Sequence, residues 1–438
     1  MDKKFYVFLV VVLVMTFGLS LNVSAEDLSQ EELLKRTADL EGKVSKLNGI
    51  INNLQAKQDA VAIKVDSLSG SSKACKGEAV TSKQKVEIYG FVKLDASLDD
   101  SKTNDPDAPR YASSEGNTSN EGQYTMTAMN TRLGLKFFGP ETDEADVFGN
   151  IELDFLDTAS DNAQKPRMRH AFFEVKFPKW DLLAGQTWDV FGPLGSSTLN
   201  TGAWLWDGGN IGVRRPQVRL TNKFDINTDK KITTQLSLNR NIGMTNGTVN
   251  TGENSSQPMV QGRVAYDFTT CCGKKTTLGV AGLYGLEKIN RNDGVDETNY
   301  TVPAWGVGLD LAMALNSKLS LKGEFFQGSN LNALLAGLGY GINTTLAEGV
   351  DTMGGWTQLT YKVSDKGEVN LIYGTERLAK KDLNAGNRSS NQMIVVNYMH
   401  TIVTDVKVGV EYANMFTEYV GADRGSNNRL TTSFIYSF

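Results

Sequence analysis

From Lys85 onward the apolar and polar positions alternate with a period of two. In "KVEIYGFVKLDAS" one parity carries Val86, Ile88, Gly90, Val92, Leu94 and Ala96, and the other carries Glu87, Tyr89, Phe91, Lys93, Asp95 and Ser97. "NTRLGLKFF" sets Leu133, Leu135 and Phe137 against Arg132 and Lys136, and "GNIELDF" sets Ile151, Leu153 and Phe155 against Glu152 and Asp154. Alternation this sharp predicts strands with one apolar and one wet face. Sixteen such segments run from 85 to 438, the later ones including 275–288, 302–314, 404–415 and 428–438. Their connections alternate in length. "GPETDEA", "PK" and "DINTD" are short, while "DDSKTNDPDAPRYASSEGNTSNEGQYTM" and "QGSNLNALLAGLGYGINTTLAEGV" are long.

Short turns at one end and long loops at the other predict an all-β fold, a 16-stranded antiparallel transmembrane β-barrel over 85–438. The short turns are expected in the periplasm and the long loops outside the cell. A soluble multidomain β-protein would not keep this sidedness through the whole region. In hydrocarbon every backbone group needs a partner, so the last strand has to close on the first. "LTTSFIYSF" then turns Leu430, Phe434, Tyr436 and Phe438 to the outer-membrane lipids, with Tyr436 and Phe438 in the periplasmic aromatic girdle, and this closing strand resembles the assembly signal shared by outer-membrane barrels generally.

Upstream the period changes. Lys3 and Lys4, the apolar run 5–19 and Val23-Ser24-Ala25 predict a signal peptide over 1–25 and hence export. Over 26–70, Leu33, Leu40, Leu47, Leu54, Val61 and Leu68 fall seven apart, with a second seam of Thr37, Val44, Ile51, Gln58 and Val65. This predicts a periplasmic coiled-coil helix that joins chains, on the order of 50 Å long at about 1.5 Å per residue. An amphipathic helix lying on the barrel or the membrane is the alternative, and the number of chains stays open. Residues 71–84 read as a linker.

Composition narrows the chemistry. A net charge of -5 does not argue for nucleic acid. Three cysteines are too few for a disulfide scaffold. Cys271 and Cys272 would form only a strained vicinal bridge, and Cys75 in the linker could join subunits. The two histidines bring no metal-ligand pattern, and no nucleophile has a recognisable base, so neither an enzyme nor a cofactor is expected.

The heptads followed by "VEIYGFVKLDASLDD", "NTRLGLKFFGPE", "RMRHAFFEV" and "LLAGQTWDVF" resemble the DcaP-like outer-membrane porins of diderm bacteria. The likeness runs over nearly the whole exported chain and is best between Val86 and Phe191. Phosphate-selective porins are a more distant resemblance. What the resemblance implies is a homo-oligomer, a trimer of barrels with periplasmic N-terminal helices, passing small anions such as dicarboxylates by diffusion. A phosphate-selective or general pore is the alternative, as is a barrel whose rod tethers the membrane to peptidoglycan.

Basic and acidic residues are equally frequent on the pore parity. The candidate pore-lining, anion-binding residues are Lys93, Arg132, Lys136, Arg215, Arg219, Lys223 and Arg263. "RRPQVRLTNKF" makes a ladder of Arg215, Arg219 and Lys223, whose alternate residues on one face are about 7 Å apart. Such a ladder attracts anions, pairs with carboxylates across the pore, or holds the loop before it. That loop, "VFGPLGSSTLNTGAWLWDGGN" with Trp204, Trp206 and Asp207, is the candidate constriction, its inward fold resting on the porin resemblance. Arg167 and Arg169 share a parity with Ala171, Phe173 and Val175 and so point to lipid. Position at the membrane rim, a bulge, or a neighbouring subunit would each explain them, and they are not assigned to the pore.

Overall fold

The computed structural model describes residues 84–116, 120–156, 164–200, 205–245, 248–249, 251–270, 273–292 and 297–438. The expected signal peptide, the heptad residues from Leu33 to Leu68, the linker up to residue 83, Trp204 and all three cysteines lie outside the described residues.

Sixteen barrel strands follow the chain. They are β1 (Lys85–Asp99), β2 in two pieces (Gln123–Thr127 and Arg132–Glu141), β3 (Asp146–Asp154), β4 (Arg167–Lys176), β5 (Trp180–Trp188) and β6 (Arg214–Asn227). Then come β7 (Lys230–Asn239), β8 (Met259–Thr269), β9 (Lys275–Asn292), β10 (Glu297–Ala314) and β11 (Leu319–Ser329). The last five are β12 (Asp351–Ser364), β13 (Gly367–Leu378), β14 (Arg388–Val403), β15 (Val406–Tyr419) and β16 (Ala422–Ser437). Each pairs antiparallel with its sequence neighbours. β1 also pairs with β16, from Phe91↔Ser437 to Asp99↔Arg429, so the sheet is closed. The seam extends one residue further, where Gly90 and Phe438 exchange backbone hydrogen bonds of 3.0 and 3.1 Å. Where β2 breaks, the Lys93 N–H donates to Thr131 Oγ1 at 3.1 Å instead of to a strand carbonyl.

The faces follow the alternation. Val92, Leu94, Phe434 and Tyr436 are exposed on the outside, whereas Asp95, Ser97, Thr431 and Ser433 are buried inside. That inversion suits a barrel solvated by lipid. The seven short turns, such as 228–229 and 365–366, share one end of the barrel. At the other end two expected loops are hairpins instead. β9 and β10 continue to Asn292 and Glu297, and β15 and β16 to Tyr419 and Ala422. The apolar alternation stops where lipid would end, but the backbone ladder goes on, because strand pairing satisfies N–H and C=O groups without any apolar face.

The largest apolar clusters lie inside the barrel. Phe191 and Ile211 pack with Met259, Phe326, Leu331 and Leu334. Residues 189–200, 205–213 and 330–350 therefore fold into the barrel instead of standing away from it.

Candidate functional site

The connection 189–213 leaves β5, turns inward and is fastened to the far wall strand by strand. Val190 and Phe191 donate their N–H groups to Gln261 Oε1 on β8 at 3.0 and 3.1 Å. Leu194 donates to Glu324 on β11 at 2.7 Å, Ser197 to Gln358 on β12 at 2.8 Å, and Leu199 to Glu411 on β15 at 2.6 Å. From the wall, Lys322 donates to the Gly195 carbonyl at 2.7 Å and Asn397 to the Ser197 carbonyl at 2.8 Å. A loop crossing a lumen has no strand partners of its own, and these side chains supply them. Gly209 seats the returning limb. Its φ is +101°, and a Cβ there would collide with the carbonyl oxygens of Gly355 and Thr375.

Asp207 is 2% exposed, so it does not line open water. Its carboxylate lies 3.3 Å from Arg110 of the 100–122 connection. Burial pushes its carboxyl above the ordinary aspartate range, and Arg110 and Arg388 pull it partly back. The Arg388 guanidinium lies 3.9 Å from the Tyr111 ring and 4.7 Å from that of Tyr340, joining two connections at the mouth.

The predicted ladder on β6 divides. Arg215 is fully buried, pairs with Asp189 at 2.9 Å and donates to the Ala333 carbonyl at 3.0 Å. It holds two loops together and is not open to passing ions, which corrects its assignment to the pore lining. Burial raises the Asp189 carboxyl, opposed by the Arg215 charge and the hydrogen bonds from Gln261 and Val213. Lys223 pairs with Asp181. Arg219 makes no hydrogen bond or ion pair among the described residues. Elsewhere Arg263 is clamped by Asp310 through contacts of 2.9 and 2.6 Å, and Lys136 pairs with Glu87 at 2.6 Å.

With the loop against β8 and β11–β15, a cleft of about 230 Å³ lies between its tip and the opposite wall. Lys93 of β1, Arg132 of β2, Arg167 and Arg169 of β4 and Arg214 of β6 line it, with Asp154 as the one carboxylate. Phe91, Leu156 and Trp206 supply apolar surface. Asp154 holds Arg167 bidentately at 2.9 and 2.8 Å and Arg169 at 2.8 Å. Glu152 also takes Arg169, at 2.5 Å, and Asp95 lies 3.1 Å from Lys93. Counting those two carboxylates behind the lining, cations still outnumber anions five to three. Arg214 stacks over Trp188 at 4.3 Å, and its Nη1 is buried without a hydrogen-bond partner among the described residues.

Arg167 and Arg169 therefore face the lumen, contrary to their parity. A register shift between Glu152 and Leu153 pairs Glu152 with His170 but Leu153 with Met168. Arg169 and His170 thus stand on the same side, the mark of a bulge. The signal was present in the sequence: Met168 and Phe173 are both apolar but differ in parity, which a single uninterrupted strand cannot satisfy. Arg214, adjacent to Arg215 at the strand start, carried no such sign.

A family model described as Gram-negative porin matches residues 60–418. The fold resembles the outer membrane channel DcaP of Acinetobacter baumannii, at 23% identity and a TM-score of 0.66, over 81% of this chain and 97% of that one. An anion-selective porin from Comamonas acidovorans matches at 12% identity and 0.53, over 81% and 100%. OmpT of Vibrio cholerae, in its trimer form, matches at 13% identity and 0.50, over 81% and 99%. No curated protein sequence matches the chain.

Proposed function

Because the chain belongs to the Gram-negative porins of the outer membrane, we propose that it passes small hydrophilic solutes by diffusion, with a mild preference for anions such as dicarboxylates. The excess of cations along the cleft carries this reading. Arg132, Arg167 and Arg214 keep part of their side chains exposed beside the cleft, with the buried Lys93 and Arg169 behind them and Asp154 the one carboxylate in the lining. Arginine presents a planar fork of donors that matches a carboxylate, so the wall suits carboxylate ions better than halides. The long loops then face outward, the short turns face the periplasm, and the heptads of 26–70 join three barrels there. The trimer form described for OmpT and the anion selectivity described for the Comamonas porin are in keeping with this assignment.

The reversal potential of the reconstituted protein in a potassium chloride gradient tests it. Wild type should favour chloride, and Arg132→Gln with Arg214→Gln should move the potential towards the cation value. The difference should shrink at 1 M salt, where screening reaches only about 3 Å. A cation-preferring wild type, or a double variant with unchanged potential, overturns the anion preference. Block of the chloride current by succinate compared with inorganic phosphate separates a dicarboxylate channel from a phosphate-selective one.

A further inference from the structure

We propose that the short-turn mouth holds a second anion station, built from Lys318, Lys362 and Lys407 and separate from the arginine cleft. It rests on the anion reading above and adds a site to it. With Lys366 these residues line a cleft of about 670 Å³. Asp365 and Glu368 share the lining.

Their placement follows one rule. Each lies four residues towards the short-turn end from a residue that grips the inward loop. Lys318 lies below Lys322, Lys362 below Gln358 and Lys407 below Glu411. Four residues of strand are about 13 Å, so the lysines form a layer beneath the loop. They sit on the wall opposite the arginine cleft, and an anion that has passed the cleft meets them as it leaves.

Three inward lysines towards this end are paired. Lys136 has Glu87 at 2.6 Å, Lys176 has Glu174 at 3.5 Å, and Lys223 has Asp181. No ion pair reaches Lys318, Lys362 or Lys407 among the described residues, so their charge is not spent on holding the rim. An ammonium group is a compact point charge without the arginine fork. The station therefore selects by charge rather than by shape, and takes small multivalent anions, phosphate and dicarboxylates alike.

The test uses the full chain, inserted from one side of a planar bilayer in about 0.1 M potassium chloride, where the screening length is about 10 Å. A cation cluster at one mouth concentrates anions there, so wild type should pass about twofold more current when anions enter from the short-turn side. Lys362→Gln with Lys407→Gln should bring that ratio to about one and relieve block by inorganic phosphate added from that side. The reversal potential should move far less than in the Arg132 and Arg214 variant. Lys362→Arg with Lys407→Arg should keep the asymmetry, since charge is retained. A symmetric wild type, an asymmetry that survives the glutamine pair, or one lost equally in the arginine pair overturns the station. Failure of the anion reading itself appears separately, as a cation-side reversal potential in wild type. Heat-modifiable migration checks that each variant forms its barrel.

Discussion

The wall of β8 and β11–β15 and the wall of β1–β4 and β6 both carry buried charge, but they use it differently. On the first, Glu324 and Glu411 accept backbone N–H groups of the inward loop and are covered by it. On the second, Asp154 and Glu152 hold Arg167 and Arg169, while Arg132, Arg167 and Arg214 keep part of their surface in the cleft. The loop thus takes Glu324 and Glu411 out of contact with water, whereas the cleft opposite leaves Arg132, Arg167 and Arg214 partly exposed. What a solute meets depends on which groups a loop has covered, and the charge inventory of the wall does not say which.

The comparison can be broken at Arg215, where the largest effect is expected. Arg215→Gln should cost about 3–5 kcal/mol of stability, because Asp189 loses its partner while buried. Unfolding in urea from detergent micelles measures that loss, and the reversal potential should stay as in wild type. A selectivity shift at full stability would place Arg215 on the open wall. Next is Gly209→Val, expected to cost about 2–3 kcal/mol through backbone strain and collision with the wall. Because the loop can no longer seat, single-channel conductance should rise and anion preference should fall. An unchanged conductance would mean that the loop does not limit the pore.

A smaller effect sharpens the account of the covered wall. Glu411→Gln keeps one acceptor oxygen for the loop and should cost about 1 kcal/mol. Current noise should increase with little change in selectivity. A large gain in anion preference would show that ions feel Glu411 and that the wall is not covered. The smallest effect concerns pH. The folded-state pKa of Asp207 is raised above the ordinary 3.8 by burial. Its contribution to stability is therefore full below that value and fades as pH rises through the raised pKa. In Asp207→Asn, the unfolding midpoint should vary less with pH across that window than in wild type.

Much of this architecture is readable from alternation alone. The sixteen strands, their faces and the closure of β16 on β1 follow from a period of two and the need to pair backbone in hydrocarbon. Lys93 and Arg132 also reach the cleft as their parity implies. Parity failed at Arg169, because one extra residue in β4 reverses the side on which its neighbours stand. It could not separate Arg215 from Arg219 either. Both point inward, and only the positions of Asp189 and Ala333, from two different loops, bury the first. The role of Gln261, Glu324, Gln358 and Glu411 as loop anchors was not legible, since each partner lies 70 or more residues away in the chain.

The grip on Leu199 bears on the order in which the barrel assembles. Glu411 holds its N–H from β15, and Lys93 of β1 holds its carbonyl at 2.5 Å, with the seam strand β16 between them. Without that residue, the seam brings together positions such as Ser97 and Thr431, 334 residues apart. Through Leu199 the search divides into spans of 106 and 212 residues. Chain-closure entropy grows only with the logarithm of length, so the first step is easier than direct closure by about 1 kcal/mol. Each step also ends in a hydrogen bond that survives in the finished barrel. Through Leu199 the inward loop thus ties β1 to β15, the strand that carries β16 to the seam.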